Sequence, residues 1–236
     1  MKKIAYFFEF ILIKILFTLF QIIGYRLSSN LGFFIGRTIG PIFRSKKKII
    51  QNLEKANIQH PNLSKIASNV LGNYGRIFAE YNYLKKFRND ELKKYISIDG
   101  LEHLENLKKQ NKKAVFISGH FNNFELMAME IEKAGINLAA IYRPLNNIFL
   151  NKTMEKIRKE NICKNQIKKG RAGSREIIKN LIEGKSIALM IDQRVREGEK
   201  VKFFNNLATT TTIPAQLVKK YNCELMPIYI ERKNSN

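Results

Sequence analysis

The hydrophobic pattern divides the chain into three regimes. Residues 4–23, IAYFFEFILIKILFTLFQII, are almost continuously apolar, and about twenty such residues let a helix cross a bilayer. Glu9, Lys14 and Gln21 interrupt the run. A charge at mid-span costs about 2.5–3.5 kcal/mol, so a helix lying in the membrane interface competes with a spanning one. The run predicts a transmembrane helix, ahead of a helix lying flat and of a core helix in a soluble domain. A cleaved signal peptide is disfavoured because GYRLSSN, which follows, lacks a small-residue cleavage pattern. Residues 28–95 read mainly as helix, with basic outer faces in RSKKKIIQNLEKA and NLSKIASNVLGNYGRIFAEYNYLKKF. Gly32, Gly36 and Gly40 recur every four residues and give one helix a smooth face for close packing; Pro41 is expected to interrupt that helix.

From about residue 95 the pattern alternates between strand and helix. YISIDG reads as a short strand and GLEHLENLKKQN as a helix. AVFISG is a buried strand, followed by a helix from about residue 123 to 133 with Asn122 or Asn123 as its cap. INLAAIY is a strand, IFLNKTMEKIRKEN a helix, and SREIIKNLIEG a helix closed by Gly184. SIALMID is a buried strand, IPAQLVKKYN a helix and ELMPIYIER the last strand. This predicts an α/β class: a central, mostly parallel sheet flanked by helices, preceded by the membrane helix and a helical N-terminal region. The expected organisation is an anchor at 1–25, a helical region at 26–95 packed on the next domain, and an α/β domain at 96–236. The chain stops directly after a strand, so that domain is expected to be truncated at its C-terminal side.

The net charge of +22 suits an acidic partner: nucleic acid, anionic lipid or an acidic protein. Lys, Asn and Ile are frequent everywhere, so part of the excess is compositional. No nucleic-acid module or basic–aromatic stripe accompanies it, which argues against a nucleic-acid-binding protein. Lys2 and Lys3 precede the apolar run, while Arg26, Arg37, Arg44, Lys46, Lys47 and Lys48 follow it. The positive-inside rule then puts the remainder of the chain on the cytoplasmic side. Cys163 and Cys223, far apart and in no metal-like spacing, fit a reducing compartment and no disulfide framework. No metal or cofactor is implied.

The chemistry gathers at VFISGHFNNFELMAMEIEKAG, residues 115–135. In an open α/β sheet, functional groups collect where strands end and helices begin. His120 stands there, Gly119 permits a tight turn, and Glu125 falls in the first turns of the next helix. A carboxylate beside an imidazole fixes its tautomer and raises its basicity, which suits a general base acting on an alcohol. The bland alternative stays open: a hydrogen-bonded turn histidine, and an acid complementing the helix dipole. Ser118 is not set in a nucleophile elbow, so a covalent mechanism is disfavoured.

GHFNNFE (119–125) resembles the His-x4-Asp/Glu motif of the glycerolipid-type acyltransferases, and most closely that of the bacterial lipid A late acyltransferases, the lauroyl and myristoyl transferases. IYRPLNN (141–147), KKGRAGSREIIKNLIEGKSIALMIDQR (168–194), VKFFNNLATTTTIPAQLVKK and ELMPIYIER are similar to that family's further segments in the same order, with Asn205 where Gly is usual. The resemblance runs from the anchor to residue 232. It implies an acyltransferase moving a fatty acyl chain from acyl carrier protein to a hydroxyl of a phosphorylated glycolipid, a lipid A precursor, at the bacterial inner membrane. His120 would deprotonate the hydroxyl and Glu125 would orient His120. Arg143, at a strand end, should reach the same sheet edge. Lys169, Arg171 and Arg175, grouped around Gly170 and Gly173 at a helix start, suit phosphate. Asp192, with Gln193, ends a strand on that edge and would pair with an Arg or help build the acceptor site. Phe203 and Phe204 line an acyl groove or belong to the core. His60 and His103 read as surface residues, and both cysteines as inert. The rivals are a glycerophosphate-type (lysophosphatidate) acyltransferase, which mostly carries Asp where Glu125 stands, a basic nucleic-acid-binding protein, and a non-catalytic truncated membrane protein.

Overall fold

The computed structural model describes residues 2–233. Seven strands form: β1 Ala114–Ser118, β2 Leu138–Tyr142, β3 Asn165–Lys168, β4 Ser186–Met190, β5 Glu199–Phe203, β6 Asn206–Thr210 and β7 Glu224–Pro227. Five of them build one parallel sheet in the order β3-β2-β4-β1-β7, and β5 and β6 form a separate antiparallel hairpin. Parallel neighbours need crossovers. These are supplied by α7 (Glu125–Lys133), α8 (Ile148–Asn161), α9 (Arg171–Ile182) and α10 (Ile213–Tyr221). The apolar runs of β1, β2 and β4 are the sheet's centre, and Val115, Ala139, Ile187, Ile177 and Leu181 pack in its core. Because all five strands run in one direction, their carboxyl ends share one edge, where a doubly wound fold places its ligands.

The chain divides into two compact units: Met1–Ile13, Leu84–Gln193 and Thr211–Glu231 in the first, and Lys14–Tyr83, Arg194–Thr210 and Arg232–Asn236 in the second. The first holds the parallel sheet. The second is built on α2 (Tyr25–Phe43) and α4 (Leu63–Glu80), with the short α3 (Lys46–Lys55) between them. The glycine repeat packs helix against helix at backbone distance: a Cβ on Gly32 would lie 2.5 Å from the Gly75 carbonyl oxygen, and one on Gly36 2.5 Å from that of Leu71. A buried polar cluster locks this unit. The Glu80 carboxylate accepts from Ser29 Oγ at 2.7 Å and from Arg232 Nη2 at 2.8 Å, while Arg76 donates to Ser29 Oγ at 3.0 Å.

Helix α1 (Lys2–Ile23) contains the apolar run and is long and apolar enough to cross a membrane by length and composition. In the first unit, Asn147 caps α8 and donates its side-chain N–H to Tyr6 O at 2.8 Å and to Glu9 Oε2 at 2.9 Å; the Phe149 ring meets Phe7 and Phe10 at 5.7 and 6.2 Å. In the second unit, Phe17 packs on Phe78 at 5.0 Å, and the Phe20 carbonyl accepts from Ser28 and Tyr83.

Four local expectations differ from the structure. Pro41 does not break α2, which runs on to Phe43; it sits in the last turn, where one lost hydrogen bond is tolerable. Residues 96–99 form no strand and follow a 3-10 turn, Lys93–Tyr95. The N-cap of α7 is Phe124, not Asn122 or Asn123; Asn122 instead takes a positive φ of 39° and donates to Ile230 O. The β5–β6 hairpin turns through Phe204 and Asn205, both at positive φ (46° and 60°), which is the paired left-handed geometry of a tight hairpin turn. Asn tolerates this where Gly is usual, and Phe203 and Phe204 are exposed there, so the core reading of both is corrected.

Candidate active site

His120 follows β1 by two residues and Asp192 follows β4 by two residues. β1 and β4 are hydrogen-bonded parallel neighbours in which Ser118 stands opposite Met190. Equal offsets from a matched pair bring the two side chains together although 72 residues separate them. Asp192 Oδ1 lies 2.8 Å from His120 Nδ1, and Asp192 Oδ2 accepts from the His120 backbone N–H at 2.8 Å. The carboxylate has only acceptors, so the ring proton sits on Nδ1 and Nε2 keeps its lone pair. Gln193 Nε2 approaches Nε2 of the ring at 3.4 Å, and the Phe124 ring meets it edge-on at 4.8 Å. The histidine side chain is 24% exposed. Gly119 is closely packed: a Cβ there would lie 2.9 Å from the Phe121 ring, which would have to move aside, and 3.4 Å from Asp192 Cβ.

Glu125 takes a different place from the one its spacing suggests. It opens α7, is buried, and its Oε1 accepts from Arg158 Nη2 at 2.9 Å and Nε at 3.1 Å. Burial raises its pKa, and the Arg158 charge and hydrogen bond oppose that rise. The carboxylate bonded to the imidazole Nδ1 is that of Asp192, while Glu125, expected beside the ring, is bonded to Arg158. Glu125 lies on the buried side of α7, where α8 presents Arg158, whereas Asp192 arrives from the adjacent strand. The Arg158 guanidinium also lies over the Tyr142 ring at 5.6 Å. Tyr142 donates to Glu155 at 2.5 Å, and Lys168 lies 3.1 Å from Glu155. The Tyr142 hydroxyl bond is the main cause that pulls the Glu155 carboxyl down to about 2, while burial and the same bond push Tyr142 well above its ordinary range.

Arg143 directly follows β2 and Lys169 directly follows β3, so both leave the carboxyl edge that carries His120, and both are exposed. Arg175 is exposed on α9. The side chain of Arg171 lies outside the described residues. Gly173 lets α9 start against β3, since a Cβ there would lie 2.1 Å from the Lys168 carbonyl oxygen. Arg158 is the residue that reading the sequence missed: it is one of several basic residues in IFLNKTMEKIRKEN, and only its burial against Glu125 distinguishes it. Among the described residues, no group of three or more His, Cys, Asp or Glu side chains could hold a metal ion.

This arrangement, a histidine with Nδ1 held by a carboxylate and Nε2 met only by the long Gln193 contact at the edge of a parallel sheet, can take a proton from an alcohol. A comparison with curated proteins finds no match for the chain. A family model, that of the bacterial lipid A biosynthesis acyltransferases, matches residues 1–236, the whole length. The chain belongs to the bacterial lipid A biosynthesis acyltransferase family.

Proposed function

We propose that this protein transfers a fatty acyl chain from an acyl carrier protein thioester to a hydroxyl of a lipid A precursor, at the cytoplasmic face of the inner membrane. Nε2 of His120 removes the hydroxyl proton as the alkoxide oxygen attacks the thioester carbonyl. Asp192 holds the ring and balances the imidazolium. Collapse of the tetrahedral intermediate expels the carrier's thiolate, which regains the proton from Nε2. Glu125 and Arg158 act behind the histidine, as a buried pair that fixes the start of α7 and hence the turn bearing His120. Arg143, Lys169, Arg171 and Arg175 bind the phosphates of the acceptor, and the basic surface attracts the acidic carrier protein.

The observation that carries this reading is the 2.8 Å contact between His120 Nδ1 and Asp192 Oδ1 at the sheet edge, in a chain matched by the family model over its full length. The test incubates membranes containing the protein with labelled acyl carrier protein and a tetra-acylated, Kdo-bearing lipid A precursor. Transfer should occur with the wild type and vanish in folded His120→Ala. Equal rates in both would overturn the reading, and transfer to lysophosphatidate instead of the glycolipid would replace the acceptor.

A further inference from the structure

We infer that α1 lies flat in one leaflet rather than crossing the membrane, so that the protein is monotopic. The inference rests on membrane attachment alone and does not need acyl transfer. Along the helix, at about 100° per residue, Ile4, Phe8, Leu12, Ile15, Leu19 and Ile22 fall on one face, and all six are exposed. In the first unit Tyr6, Phe7, Glu9 and Phe10 engage Asn147 and Phe149, and in the second unit Phe17 and Phe20 engage Phe78, Tyr83 and Ser28. The longest stretch between residues so held, 11–16, is six residues, about 9 Å of helix, against a hydrocarbon core of about 30 Å. No segment is left to cross.

The polar residues agree. Lys3, Lys14 and Gln21 run along one flank of the apolar stripe, and Glu9 lies on the other, bonded to Asn147. Flanks are where a helix in the interface keeps its charges; in a spanning helix Lys14 would sit at mid-depth. A second helix carries the same signature independently. The packed face of α2 is small (Ser28, Ser29, Gly32), whereas Leu27, Phe34 and Ile42 on its outer side are 64%, 63% and 79% exposed, with Arg26 and Arg37 beside them. Between Phe10 and Leu53 the sequence has no Asp or Glu and seven Lys or Arg. An apolar face edged by cations, as on α2, suits an anionic lipid surface.

Two measurements on the full chain test this. First, Lys2→Cys and His103→Cys are treated with a membrane-impermeant maleimide in intact spheroplasts and in inverted membrane vesicles, the unmodified chain with its two buried cysteines giving the background. Both should label from one and the same side; labelling of Lys2→Cys from the side opposite to His103→Cys would overturn the inference. Second, the chain contains no Trp, so Ile4→Trp, Leu12→Trp and Ile22→Trp, all at exposed positions, each give a single reporter. In anionic vesicles with brominated lipids, all three should be quenched alike, and most strongly by bromines placed high on the acyl chain. A Leu12→Trp signal deepest at the bilayer centre with shallow ends would mean a spanning helix. Absence of quenching at all three would mean that protein, such as a second copy, covers the stripe. Either result overturns the inference, and neither touches the chemistry at His120.

Discussion

Replacing Asp192 by Asn separates the two carboxylates of the site. The aspartate receives two donors, the His120 backbone N–H and the ring Nδ1–H, each at 2.8 Å on its own oxygen. Asn offers one acceptor and one NH2 group in nearly the same shape. If its oxygen faces Nδ1–H, its NH2 confronts the backbone N–H, two donors in contact. If its oxygen faces the backbone, its NH2 drives the ring to the tautomer with the proton on Nε2, and the base is lost. Either arrangement also removes the negative charge beside the imidazolium. At about 4 Å, that charge is worth roughly 1–4 kcal/mol between the water and protein-surface limits. General-base catalysis contributes about 10²–10⁴-fold, and kcat in Asp192→Asn should fall within that span while KM stays within a few-fold. Acyl transfer from labelled carrier protein gives the rates. The ¹⁵N spectrum of histidine-labelled protein, which has three histidines, reports the tautomer without activity. An Asp192→Asn enzyme that keeps half its kcat and an unchanged His120 signal would refute this assignment.

Removing one partner of the buried Glu125–Arg158 pair strands the other charge, so Arg158→Met should destabilise the fold by about 3–5 kcal/mol, while Glu125→Gln/Arg158→Met should cost less than the sum of the two single changes in thermal melts. Gly75→Ala puts a Cβ 2.0 Å from the Gly32 carbonyl oxygen and should cost about 1–3 kcal/mol through overpacking, seen as a lowered melting temperature with the α/β site intact. Glu155 is held at about 2 against an ordinary 4.5, chiefly by the Tyr142 hydroxyl. The unfolded chain therefore takes up a proton that the folded chain refuses, and the stabilisation present above pH 4.5 is lost as pH falls towards 2. Tyr142→Phe should lose less stability across that window, as read from melting temperature against pH.

The parallel sheet was legible because buried five-residue strands with four or five apolar positions alternate with amphipathic helices, a pattern few other folds produce. Two kinds of element were not. β3 places only Ile167 firmly in the core, with Asn165 and Gln166 half-buried at the sheet's edge, and the Lys-Val-Lys-Phe alternation of β5 is short and covers no core, every residue of the strand being exposed. At the site, His120 was legible from its place after a strand, but its carboxylate was not. Glu125 is five residues away and local spacing favours it; Asp192 becomes a neighbour only once β4 is known to pair with β1. Strand order is a long-range outcome of packing, and no local signal near residue 120 or 192 encodes it.

α8 binds something at each end. Its first turn, through Asn147 and Phe149, grips the anchor helix; its last turn carries Arg158, locked to the acid at the start of α7. Fourteen residues of helix measure roughly 21 Å, so this helix is a strut of fixed length between α1 and the carboxylate that opens α7. Under the function proposed above, that fixed length would set the height at which the imidazole meets an acceptor hydroxyl.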